Sequence, residues 1–182
     1  PITGLFPKEH RSRPELIPLA TSPPKAYYWA SRGRRRRRFT AMSGEEEKKI
    51  KNVIYGVLEA GKNRNFSLLS KLYAEDGRFS KFDDSPPYSR QTVEEAITQE
   101  EIAFASLSDY QYTIRELKID LIGVVAIATF YLDYGGVLVN NYTFEGRKIS
   151  ITSRVTYVLE KRADGWIVVH KHSSRLPDDW KR

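Results

Sequence analysis

The chain has no cysteine, one methionine and three histidines among its 182 residues. Without a thiol there is no disulfide framework, no thiolate metal site and no cysteine nucleophile. Such a composition suits a reducing compartment, and a cytoplasmic location is the expectation. No apolar run approaches the ~18 residues a membrane helix needs, so no membrane partner is expected. The pair Gly135-Gly136 lacks the lysine and the following helix of a phosphate loop. No serine stands in a nucleophile-elbow context, so a Ser-His-Asp hydrolase cannot be argued.

Basic charge is scarce where it first looks abundant. The net charge is +7, yet residues 1–41 hold ten Lys and Arg against two Glu, and residues 42–182 hold twenty basic against twenty-one acidic residues. The excess lies in Arg32 and the run Arg34 to Arg38. The body of the protein has no bulk attraction for phosphate. Residues 1–41 carry six of the nine prolines and keep no period of 2 or 3.6. Three readings stand for them: a disordered basic arm that touches nucleic acid, a linker or targeting arm, or a non-native extension with translation starting at Met42. Nucleic acid is a partner only if that arm is native.

From residue 42 onward the pattern becomes regular. Ser43 with Glu46 predicts a capping box. Ile50, Val53, Ile54, Val57 and Leu58 then form one helical stripe that GKNRN, 61–65, ends. Phe66, Leu69, Leu72 and Tyr73 predict a short second helix, and RFSKF, 78–82, a short strand. The loop DDSPPYSR, 83–90, precedes a second capping box, Thr92 with Glu95, and a helix to about Leu107 with Val93, Ala96, Ile97 and Phe104 inward. After Tyr110 the β-branched and aromatic residues predict long antiparallel strands, with turn signals at 122–123, 135–136, 145–147 and 163–165. Helices followed by strands mean α+β, with three helices on one face of a curved antiparallel sheet.

The last strand, GWIVVHKHSS, alternates. Strict alternation puts Trp166, Val168, His170 and His172 on one face, expected to be the concave face under the helices. A three-residue turn at Ala163-Asp164-Gly165 would bring Arg154, Thr156 and Val158 onto the histidine face. A one-residue slip would reverse that placement. Imidazole donates or accepts a proton near neutral pH, and a guanidinium clamps an anion with paired hydrogen bonds. His170 and Arg154 are therefore the candidate catalytic pair, with His172 beside them. Tyr55, Tyr73, Phe82, Phe104 and Trp166 are candidate ligand-binding aromatics, with ordinary core packing as the alternative. A metal is not expected, because His-x-His has no third ligand in a shared motif. Asp83 and Asp84 offer a carboxylate at a pocket mouth, although Asp-Asp-Ser-Pro-Pro is also ordinary turn chemistry.

RVTYVLEKRADGWIVVHKHSS resembles the C-terminal hairpin of SnoaL-like domains in the NTF2-like, cystatin-like α+β superfamily. Arg-x-Thr, Gly-Trp after the turn and the His-x-His-x-Ser ending carry the likeness. The association domain of calcium/calmodulin-dependent protein kinase II has a similar ending. LYAEDGRFS, 72–80, is similar to the family's passage from its second helix into its first strand. The resemblance spans about residues 43–176, within a domain expected at 42–182. DDSPPYSR departs from the apolar, Gly-containing approach that the family often has before its third helix.

The resemblance implies a conical domain, dimeric through the convex sheet face, with a pocket between sheet and helices. Steroid isomerases of this fold use an Asp base. The expectation is a small, anionic or partly apolar ligand, proton-transfer chemistry of the isomerase, dehydratase or cyclase kind, and no organic cofactor. The alternative is an assembly module in which Ile167 and Val169 meet a partner and the pocket is vestigial. Fold alone does not choose between them.

Overall fold

The computed structural model describes residues 42–140, 142–143, 145–177 and 179–180. The expectations for residues 1–41, including nucleic-acid contact through the arginine run, lie outside the described residues. Among them no helix is long and apolar enough to cross a membrane.

Helix α1, Gly44–Lys62, starts at Ser43, whose side chain accepts from the Glu46 amide at 3.2 Å. The capping box is only half formed. The Glu46 carboxylate turns away to accept from Trp166 Nε1 at 3.0 Å and to pair with Lys161 at 3.1 Å. The predicted stripe is buried through Ile50, Ile54, Val57 and Leu58, each stabilising the fold by about 1.5–3 kcal/mol. A 3₁₀ turn, Phe66–Leu68, leads into the one-turn helix α2, Leu69–Leu72. Helix α3, Val93–Ala105, opens with both halves of the Thr92–Glu95 capping box in place.

The strands are β1 (Ser80–Phe82), β2 (Leu107–Ile122), β3 (Val125–Val139), β4 (Gly146–Arg162) and β5 (Gly165–Arg175), in the sheet order β1-β5-β4-β3-β2. The four long strands are antiparallel neighbours, as expected, and β1 adds a parallel edge to β5. Gly135-Gly136 is not a turn. Both residues lie inside β3, so two predicted strands are one. A Cβ on Gly135 would stand 2.6 Å from the Ile149 carbonyl oxygen, and one on Gly136 would stand 2.5 Å from that of Ser108. Glycine is there because neighbouring backbone fills the space a side chain would need.

Bulges bend the sheet. Strand β2 gains one residue between Ser108 and Gln111 and another between Arg115 and Lys118. Asp109 and Glu116 take the positive φ of 52° and 54° that these insertions require. Helices α1 and α3 cover one face of the sheet. The core lies between them and Ala126, Ala128, Phe130, Leu132, Val155, Tyr157, Leu159, Trp166 and Val168.

Candidate functional site

Strand β5 decides what faces the helices. Its turn is tighter than expected, because Arg162 pairs directly with Gly165 across Ala163-Asp164. Leu159 then pairs with Val168, but Val158 pairs with His170, so Val169 is a bulge. The extra residue reverses the alternation. Trp166 and Val168 point inward before it, and Lys171, Ser173 and Arg175 point inward after it.

The two histidines therefore lie on the outer face of the sheet, which corrects the expectation that they share Trp166's face. Arg154, Thr156, His170, His172 and Ser174 do come together, in a shallow open depression away from the helices. The grouping survives because the shorter turn and the bulge offset each other. His170 Nδ1 lies 2.9 Å from Ser80 Oγ. Partial burial and the neighbouring His172 lower the His170 pKa.

A cavity of about 260 Å³ lies on the opposite side, between the helices and the sheet. Val57, Leu58, Phe104, Leu107, Leu132 and Val155 form its apolar wall. Of the expected pocket aromatics, only Phe104 lines it. Tyr73 is fully buried behind it, stacked on Phe79 with centroids 4.6 Å apart. Trp166 is core, anchored to Glu46. Tyr55 is exposed on α1, and Phe82 lies on the outer face, 6.2 Å from each histidine ring.

The polar end of the cavity is a buried charge cluster. β1 and β5 pair in parallel with Lys81 beside Lys171, so both ammonium groups reach the same side. Glu100 of α3 meets them, with Oε1 at 3.1 Å from Lys81 Nζ and 2.6 Å from Lys171 Nζ. The Tyr73 hydroxyl donates to the same carboxylate at 3.1 Å. Burial alone would raise the Glu100 pKa, but the two lysines outweigh it and hold it below the usual value. Lys81 is 2% exposed and is also paired with Asp83 at 2.8 Å.

Asp83 and Asp84 follow β1 directly, in a loop closed by mutual backbone bonds between Lys81 and Gln91 at 2.9 and 3.1 Å. The two carboxyls line the cavity but differ in surroundings. Asp83 accepts from Ser173 Oγ at 3.0 Å and faces Lys81. Burial raises its pKa, yet the Lys81 and Lys171 charges prevail and hold it at about 2. Asp84 accepts from Ser153 Oγ at 3.1 Å. Burial first, and then the Asp83 charge, push its pKa above the usual value. Tyr134 borders them, its hydroxyl raised to about 12 chiefly by burial and then by the two aspartates.

Two of these features were legible in the sequence. The aspartates stood out as a carboxylate pair at a pocket mouth. Glu100 falls in phase with Val93, Ala96, Ile97 and Phe104, so a charge on the buried stripe of α3 was a detectable signal. Lys171 gave no signal, because its inward direction depends on the bulge. Among the described residues no three His, Asp or Glu side chains converge to hold a metal ion.

The model of the SnoaL-like domain matches residues 50–179. No curated protein matches the sequence. A proposed dehydratase of the NTF2-like family from Streptomyces avermitilis superposes with a TM-score of 0.63 at 15% identity, covering 72% of this chain and 97% of that one. A proposed ketosteroid isomerase from Shewanella frigidimarina gives 0.55 at 23% identity, covering 71% and 97%. A proposed calcium/calmodulin-dependent protein kinase II association domain from Xanthomonas campestris gives 0.58 at 20% identity, covering 72% and 88%. At these identities the likeness is one of fold, and it agrees with the helices on a curved sheet described above. The chain belongs to the SnoaL-like domain family and has the NTF2-like, cystatin-like α+β fold.

Proposed function

We propose that this protein binds a small, partly apolar molecule between its helices and its sheet and moves a proton on it at the Asp83–Asp84 pair. One observation carries the reading: two adjacent carboxyls line a largely apolar cavity, and their surroundings drive their pKa values apart. Carboxyls separated in this way take different roles, one staying ionised and one trading its proton. Asp83 is the fixed anion, held by Lys81. Asp84 is the group that accepts a proton from the ligand and returns it. The cavity, about 260 Å³, falls just below the ~300–1,000 Å³ usual for ligand sites, which suits a one- or two-ring molecule. Lys81 and Lys171 already have carboxylate partners, so neither is a ready clamp for an anion. Arg154 and His170, on which an anionic ligand rested, lie outside it.

The test is hydrogen–deuterium exchange of small cyclic ketones in D₂O, followed by proton NMR. Wild type should accelerate exchange next to the carbonyl, Asp84→Asn should abolish the acceleration, and His170→Ala should retain it. Equal rates with wild type and Asp84→Asn would refute the reading.

A second reading, assembly through the outer face of the sheet, draws support from Phe82. It is 40% exposed beside His170 and His172 on the face opposite α1 and α3. Light scattering of Phe82→Lys against wild type tests it. A dimer in wild type that becomes a monomer supports a homodimer, and an unchanged mass opposes it.

A further inference from the structure

The outer face of the sheet gathers side chains that the cavity reading does not use. Arg154 and Thr156 of β4 stand beside His170, His172 and Ser174 of β5, and together they line the open depression on that face. Arg154 is directly opposite Ser174, and Thr156 is opposite His172. Side chains paired in this way have Cβ atoms about 4.5–5.5 Å apart. A guanidinium, two hydroxyls and two imidazoles are all hydrogen-bond donors. No carboxylate lines the depression.

Elsewhere on this face charge is matched. Strands β3 and β4 direct one carboxylate each to it, Asp133 and Glu160. Asp133 is held by Arg115 and by Thr152 Oγ1 at 2.7 Å. Glu160 is held by Arg78 at 2.7 Å and by Arg162 at 3.0 Å. Arg154 is exposed and forms no ion pair among the described residues. The groups facing the two imidazoles are Ser80 and Phe82 from β1 and Arg154, Thr156 and Val158 from β4, and none of them is an anion. Burial first, and then the charge of His172, lower the His170 pKa, so the two rings repel when both are protonated. A bound anion relieves that repulsion and draws the imidazoles into their charged, donating form. Ser80 Oγ engages His170 Nδ1 at 2.9 Å, which leaves Nε2 for a ligand.

We infer that this depression binds a phosphate monoester: Arg154 takes two of its oxygens in parallel hydrogen bonds, His170, His172, Thr156 and Ser174 surround the rest, and Phe82 packs on its apolar part. A carboxylate has too few oxygens to use this donor set, whereas a phosphate group presents three. Phe82 is 40% exposed, and its ring centroid lies 6.2 Å from each imidazole. Bulk charge does not supply the attraction, since residues 42–182 hold twenty basic against twenty-one acidic residues. The site lies across the sheet from the cavity and is independent of the reading of Asp83 and Asp84.

The probe is phenyl phosphate, titrated at fixed ionic strength into the full chain. The ring protons of His170 and His172 report binding by NMR, so contact with residues 1–41 does not register as binding at this site. Both rings should shift saturably in wild type. Arg154→Ala should weaken binding about 10- to 100-fold, the worth of charge-assisted hydrogen bonds. Lys48→Ala, which removes an exposed charge from α1, should change nothing. Inorganic phosphate should bind about 2- to 10-fold more weakly than phenyl phosphate, and Phe82→Ala should erase that difference. Sulfate, whose charge is constant over the range, should bind more tightly at pH 5.5 than at pH 8, because the imidazoles are charged only in acid. The site is overturned if neither ring shifts saturably, if Arg154→Ala binds as wild type does, if Lys48→Ala loses as much, or if benzoate binds as tightly as phenyl phosphate. Equal affinity for inorganic and phenyl phosphate refutes the monoester, and a sulfate affinity independent of pH refutes the role of the imidazoles. Arg154, Phe82 and Lys48 are all outside the cavity lining, so ketone exchange by wild type and Asp84→Asn is decided separately.

Discussion

Replacing each aspartate in turn by asparagine should change stability in opposite directions. Asp83→Asn removes a carboxylate whose pKa is held at about 2 by Lys81 and Lys171. A depressed carboxyl contributes stability above its unfolded pKa, near 3.9, and loses it as pH falls toward its folded value. The fall to about 2 corresponds to roughly 2–3 kcal/mol at neutral pH, at 1.36 kcal/mol per pKa unit. In a domain of this size the melting temperature should drop by roughly 5–10 °C. Asp84→Asn works the other way. A carboxyl whose folded pKa is raised destabilises the fold once pH exceeds its unfolded value, so removing the charge is stabilising at neutral pH. Asparagine still accepts from Ser153, so the geometry is kept.

The assay is urea denaturation from pH 8 to pH 3. Asp83→Asn should be less stable than wild type at pH 7, with roughly half of the gap gone by pH 3 because wild type loses its own contribution there. Asp84→Asn should be more stable than wild type at pH 7 and converge with it in acid. Two substitutions that shift stability by the same amount in the same direction, or an Asp83→Asn gap independent of pH, would refute the reasoning about the pair.

Glu100→Gln leaves two buried ammonium groups short of a partner and should cost about 3–5 kcal/mol in chemical denaturation, with part of the loss recovered by adding Lys171→Met. Gly135→Ala drives a Cβ against the Ile149 carbonyl oxygen and should destabilise by about 1–3 kcal/mol, read from the same urea curves. Thr92→Ala should cost about 1 kcal/mol through loss of the α3 cap, while leaving the exchange rate of small cyclic ketones unchanged. Arg154→Ala should also leave that rate unchanged, since Arg154 is across the sheet from the cavity; a tenfold loss would return the site to the outer face.

Local chemistry is short-ranged, and the sequence carried it. The stripe from Ile50 to Leu58 and the caps at Ser43 and Thr92 placed α1 and α3, because backbone sterics and capping need only a few consecutive residues. The β-rich segments placed the long strands, and the motifs around Arg154 and His170 pointed to the family. Which side of the sheet a residue occupies is a long-range quantity. It depends on how many residues each strand inserts against its neighbour, and composition does not announce an insertion such as Val169. That single bulge moved His170 and His172 outward and Lys171 inward. It gave the cavity a lysine where alternation expected imidazole. Glu100 and Lys81 have meaning only as a pair with Lys171, since a buried charge is tolerable only beside its counter-charge. Tertiary packing alone decided that they meet.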